Sequence, residues 1–167
     1  AGSARNVRGE LRSIGFGKEL IKVNIKGLQS LIKKLTLPEL ESVWVDYATD
    51  NSYTDDDQKR KRDFVQKVVS EKRRDLVWDL GCNTGVFSRI AASNSSYVIA
   101  MDYDPATVER LFRELKNENS EKILPLVMNL ANPSSNQGWR GLERKDLISR
   151  GKPDLVLALA LIHHMVI

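Results

Sequence analysis

The sequence predicts an α/β fold in which a doubly wound parallel sheet of about four strands follows an N-terminal helical region. Three observations carry that expectation. Short apolar runs recur at residues 76–80, 97–101, 123–128 and 155–161. Helical patterns rather than hairpin turns separate the first three, which makes βαβ units with strands buried on both faces. Each run also ends on a small or polar residue, where open α/β sheets bind ligands.

Composition agrees with that class. The chain has 167 residues, 41% hydrophobic and 29% charged, the range of a globular domain with its own core. Its longest apolar run, residues 155–162, is far short of the ~20 residues that span a bilayer. No basic-then-apolar segment opens the sequence as a signal peptide would, so a cytoplasmic protein without membrane attachment is expected. Cys82 is the sole cysteine, so the chain can form no internal disulfide and no cysteine metal cluster; no metal is expected. Residues 1–75 hold 16 Lys/Arg against 12 Asp/Glu, and residues 76–167 hold 10 against 10. The basic excess could meet nucleic acid, but a solvated surface is the preferred reading.

The elements follow in order. Residues 1–17 carry four glycines among charges and read as a loose arm. In residues 18–35, Ile21, Ile25, Leu28, Ile32 and Leu35 recur at spacings of four and three, one face of a helix. Alternation at Ile21, Val23 and Ile25 offers a short strand instead, and the helix is the preferred reading. Pro38 breaks the chain. Thr54 followed three residues later by Asp57 opens a second helix, with Lys72, Arg73 and Arg74 expected in its last turn. Phe64, Val65, Val68 and Val69 form its expected buried stripe, and the run from Lys59 to Arg62 its wet face. A third helix covers residues 86–92. Asp104 and Pro105 start the next, as N-cap and first helical residue, with Val108, Leu111, Phe112 and Leu115 facing inward. A polar loop over residues 129–141 and a short helix near 142–149 lead to the last strand. The boundary falls after Asp75: residues 1–75 are expected to form an arm with helices, and residues 76–167 a sheet domain.

The strand ends carry the chemistry. After the first, Asp79-Leu80-Gly81-Cys82-Asn83-Thr84-Gly85 allows a tight turn and close approach to a ligand. Its Gly-x-x-x-Gly spacing is neither the Gly-x-Gly-x-x-Gly of dinucleotide binders nor a P-loop. Asp102 ends the second run, 21 residues after Gly81, where an acid can accept from ribose hydroxyls. A glycine turn and a ribose acceptor without a phosphate cradle suit a nucleoside with no pyrophosphate tail.

These residues resemble the class I S-adenosylmethionine-dependent methyltransferases, with four motifs in family order across residues 76–167. Their glycine-rich first motif matches residues 78–85, with Asn83 in place of the usual middle glycine. The resemblance implies a Rossmann-like core with S-adenosylmethionine as cofactor. Asp79, Gly81, Cys82, Asn83 and Gly85 would hold its methionine end, Asp102 its ribose, and Tyr103 its adenine. Asn129 and the Leu130 amide would read the adenine edge, and small Ala158 would leave room beside the cofactor. His164 is the candidate general base. Neighbouring His163 would point to the opposite face of a strand, so the pair cannot share a metal. Tyr47, Asn51 and Tyr53 are candidate lid residues, because family members often fold the segment before the first motif over the cofactor. The stretch is also similar to a bacterial branch named after a nodulation protein.

The resemblance implies transfer of a methyl group to a small-molecule acceptor. No Asn/Asp-Pro-Pro-aromatic motif follows the fourth strand, which disfavours exocyclic amines of bases, and no cysteine there serves pyrimidine carbon. Two other readings remain: a non-catalytic module that binds the cofactor or a nucleoside, and an RNA methyltransferase gripping RNA through the basic half. Because the family continues past its fourth strand, truncation after that strand is expected.

Overall fold

The computed structural model describes Gly9, Gly15 and residues 17–35 and 54–161. The chain divides into two compact units, Ala1–Glu39 and Leu40–Ile167. In the first, the expected helix is α1 (Lys18–Lys34), not a strand. Its 3.6-residue pattern spans more turns than the three alternating residues that offered the strand, so the helical period wins. Pro38 lies outside the described residues.

The second unit opens with α2 (Asp55–Glu71). The Thr54 hydroxyl accepts from the Asp57 amide at 3.2 Å, and the Asp57 carboxylate accepts from the Thr54 amide at 3.3 Å. This reciprocal cap satisfies backbone donors that the first turn leaves open. The expected basic last turn does not form. The helix stops at Glu71, Lys72 is extended, and Arg74 already belongs to β1 (Arg74–Leu80), its amide bonded to the Asn94 carbonyl. Strand pairing takes these residues from the helix. The stripe is also narrower than expected: Val65 and Val69 are buried, whereas Phe64 is 63% exposed, one step around the helix from Val65.

Then come α3 (Val86–Ala92), β2 (Ser95–Asp102), α4 (Pro105–Asn117), β3 (Ile123–Val127), a 3-10 turn at Trp139–Gly141, α5 (Leu147–Arg150) and β4 (Leu155–Leu157). Asp104 caps α4 by accepting from the Ala106 amide at 3.0 Å, with Pro105 in the first turn as expected. Phe112 is half exposed, and Ala106 and Thr107 are buried in addition to Val108, Leu111 and Leu115. The sheet order is β3-β2-β1-β4, all pairs parallel. The chain thus leaves β1 in one direction through β2 and β3, then crosses to the other side for β4. The switch point lies between β1 and β4, the crevice where such sheets bind ligands.

Val77, Val98, Ala100, Ile123 and Leu157 on one sheet face pack with Val65 and Val69 of α2, Ala91 of α3, and Leu111 and Leu115 of α4. The expectation that both faces are buried holds fully for this face and in part for the other, where Trp78 and Met101 are buried. On the other, Leu124 is 38% and Val156 46% exposed, because the only α-helix between β3 and β4 is the single turn α5. A cleft of about 290 Å³ lined by Trp78, Ile99, Leu126 and Leu147 opens there. The last strand is shorter than its apolar run predicts. It ends at Leu157, and Ala160 has a φ of 55°, outside the strand region.

Candidate functional site

The turn after β1 lies between two carboxylates on adjacent strands. Asp79 pairs in register with Ala100 and Leu80 with Met101, so Asp102, the next residue of β2, stands beside Gly81. The Gly81 and Cys82 amides both donate to the Met101 carbonyl, at 2.8 and 3.0 Å, bending the chain away from the sheet. Gly81, Asn83 and Gly85 take φ values of 70°, 48° and 77°. This left-handed region favours glycine and tolerates asparagine, which explains how Asn83 stands where the family motif has glycine. The Asn83 side-chain oxygen accepts from the Thr84 amide at 2.6 Å. Gly85 is required for packing: a Cβ there would lie 2.6 Å from a Leu111 methyl.

Asp79 is 2% exposed and accepts a 2.6 Å hydrogen bond from the Ser88 hydroxyl. Burial pushes its carboxyl up to about 6, against the Ser88 bond, and the Asp102 charge adds to the rise. Lys61 of α2 acts in the opposite direction on Asp79, and its ammonium lies 5.1 Å from the centre of the Phe87 ring. Asp102 is half-buried and divides its oxygens, Oδ2 accepting from the Asn83 amide at 2.8 Å and Oδ1 from the Asp104 amide at 3.0 Å. Cys82 is buried, and burial with the two nearby carboxylates pushes its thiol far up, which leaves it a packing residue rather than a nucleophile.

Of the other expected residues, Tyr103 projects beside Asp102 at 72% exposure. Met128 follows β3 and donates its amide to the Asp102 carbonyl at 2.7 Å, bringing Asn129 and Leu130 to the same sheet end. The Asn129 side-chain oxygen accepts from the Ala131 amide at 3.0 Å, closing its own turn. Ala158 is half-buried just beyond β4. Tyr47, Asn51, Tyr53, His163 and His164 lie outside the described residues. Among the described residues no group of three His, Cys, Asp or Glu could hold a metal ion, and no helix is long and apolar enough to cross a membrane.

One residue of the site carried no signal in the sequence: Ser88, the partner of Asp79, sits in a helical stretch with no motif of its own. At the opposite end of the sheet Asp154 precedes β4, and its carboxylate accepts from the Asp75 and Leu76 amides at 2.6 and 3.1 Å, seating β4 beside β1.

No family model matches the chain. It is similar to the nodulation protein NoeA of Rhizobium meliloti (strain 1021), 35% identical over 161 residues, which are 95% of this chain and 34% of that protein. Solved structures that it overlaps include the N-methyltransferase NodS of Bradyrhizobium japonicum WM9 (14% identity, TM-score 0.41, 47% of this chain and 43% of that one). Another is the Trypanosoma brucei PRMT1 enzyme–prozyme complex with AdoHcy (28% identity, TM-score 0.40, 45% and 23%). The chain resembles S-adenosylmethionine-dependent methyltransferases. The chain spans about a third of the length of NoeA.

Proposed function

We propose that the chain binds S-adenosylmethionine and serves methyl transfer to a small-molecule acceptor. The observation that carries this reading is the pair Asp79 and Asp102 at neighbouring strand ends around a turn of positive φ. Ionised carboxylates only accept hydrogen bonds, and two of them beside one turn repel a pyrophosphate. They favour a ligand with a cationic, donor-rich end and a diol, which is what a nucleoside carrying an amino acid through a sulfonium sulfur presents. Asp79, buried and pressed toward neutrality, gains when an ammonium group replaces its lost water. Asp102 keeps lone pairs beyond the two that accept from Asn83 and Asp104, enough for ribose hydroxyls. Tyr103 offers an exposed ring to the adenine, and the Leu130 amide a donor to its edge.

Bound there, the cofactor supplies a methyl group on a positively charged sulfur. The protein's part is orientation: holding donor and acceptor in line, with His164 the candidate to take a proton from the acceptor. Isothermal titration with S-adenosylmethionine, S-adenosylhomocysteine and NAD tests the reading. Saturable heat with the first two and none with NAD is expected. No heat with S-adenosylmethionine, or equal affinity for NAD, overturns it.

A further inference from the structure

Arg89 stands in the first turns of α3 and reaches back over the turn it follows. Its Nη1 donates to the Thr84 carbonyl at 2.9 Å and, at 3.5 Å, to the Gly85 carbonyl. Its Nη2 donates to Glu114 at 3.0 Å and to Glu118 at 2.9 Å, at the C-terminal end of α4. Glu114 is shared with Arg110, whose Nε lies 3.1 Å from its other oxygen. The guanidinium lies close enough to Gly85 that an added Cβ would stand 3.3 Å from Nη1. It is about one-third exposed; partial burial works against its charge, but Glu118 and Glu114 together outweigh that and hold it charged more firmly than an ordinary arginine.

We propose that Arg89 is a positioning residue for cofactor binding, a clamp that fixes the Asn83–Thr84–Gly85 corner and is itself anchored by Glu114 and Glu118. The proposal rests on the reading that this turn receives S-adenosylmethionine. Physically, three consecutive turn residues take or flank left-handed φ values, a conformation that is disfavoured in isolation. Arg89 holds the carbonyls of Thr84 and Gly85 in the same corner from which the Asn83 amide reaches Asp102. A planar fork with several donors does this, taking two carbonyls on one side and two carboxylates on the other. Lysine offers one compact charge and cannot span both sides. The turn's shape, and hence the placement of Asp102, is thereby tied to the charge at the end of α4.

The test uses Arg89→Met, Arg89→Lys and Glu118→Gln, read by S-adenosylmethionine titration and by amide hydrogen exchange of Asn83 and Gly85 in the ligand-free protein. The clamp predicts about tenfold or greater loss of affinity for Arg89→Met, an intermediate loss for Arg89→Lys and about threefold for Glu118→Gln. It also predicts faster exchange at both amides, with α4 amides unchanged. Glu118→Gln leaves the turn and the core untouched, so it separates the clamp from a failure to fold. Unchanged exchange at Asn83 and Gly85 overturns the clamp whether or not the cofactor binds. Faster exchange with no cofactor binding by the wild-type chain supports the clamp and overturns the proposed function instead. Equal affinity in all four proteins overturns the clamp alone.

Discussion

Replacing Asp79 by asparagine should make the folded chain less sensitive to rising pH while weakening the cofactor site. The carboxyl titrates near 6 in the folded chain, against 3.8 as its ordinary value, chiefly because it is buried. A group raised in this way contributes stability that is complete below about 3.8 and is lost as pH climbs through 6. The full difference is about 3 kcal/mol, of which roughly 1.4 kcal/mol disappears between pH 5 and pH 8. Asparagine keeps an oxygen for the Ser88 hydroxyl and does not ionise, so its protein lacks that loss. Its unpaired amide hydrogens cost something at every pH, about 1–3 kcal/mol, and cancel from the comparison between pH values. Urea denaturation of both proteins at pH 5 and pH 8 measures the effect as a difference of differences. Wild type should lose roughly 1.4 kcal/mol more than Asp79→Asn over that interval. Parallel losses in the two proteins would refute the assignment of a buried, strained carboxylate at the end of β1.

Three further outcomes are expected. Asp102→Ala should weaken S-adenosylmethionine binding by about tenfold or more, since it removes the diol acceptor and frees the Asn83 amide; an unchanged dissociation constant removes Asp102 from the site. Gly85→Ala forces an L-residue to a φ of 77° and drives a methyl to 2.6 Å from Leu111, so urea denaturation should show a loss of about 3 kcal/mol or more. A loss under about 1 kcal/mol would mean that Leu111 moves aside easily. Thr54→Ala removes the reciprocal cap of α2 and should cost about 1 kcal/mol in the same assay while leaving cofactor affinity unaltered.

The sequence by itself determined the secondary structure and its order, because that information is local. The period of Ile21, Ile25, Leu28 and Ile32, the Thr54 box and the Asp104-Pro105 start each act within a turn or two of helix, and the structure contains each of those helices. The parallel sheet followed from apolar runs separated by helices, and the two acids were legible because each ends such a run. What stayed hidden depends on who meets whom across the fold. That Lys72 to Arg74 leave α2 is decided by the pairing of Arg74 with Ser95, a neighbour only in the sheet. The raised carboxyl of Asp79 arises from burial and from the Asp102 charge, working against the Ser88 hydrogen bond, none of which its own sequence neighbours announce. Gly85 reads in the sequence as room for a ligand, yet in the structure it makes room for Leu111. Arg89 looks like any helix-surface arginine until α4 brings Glu114 and Glu118 beside it. Period and capping are short-range and can be read along the chain, whereas burial, charge coupling and steric exclusion exist only once distant segments are packed together.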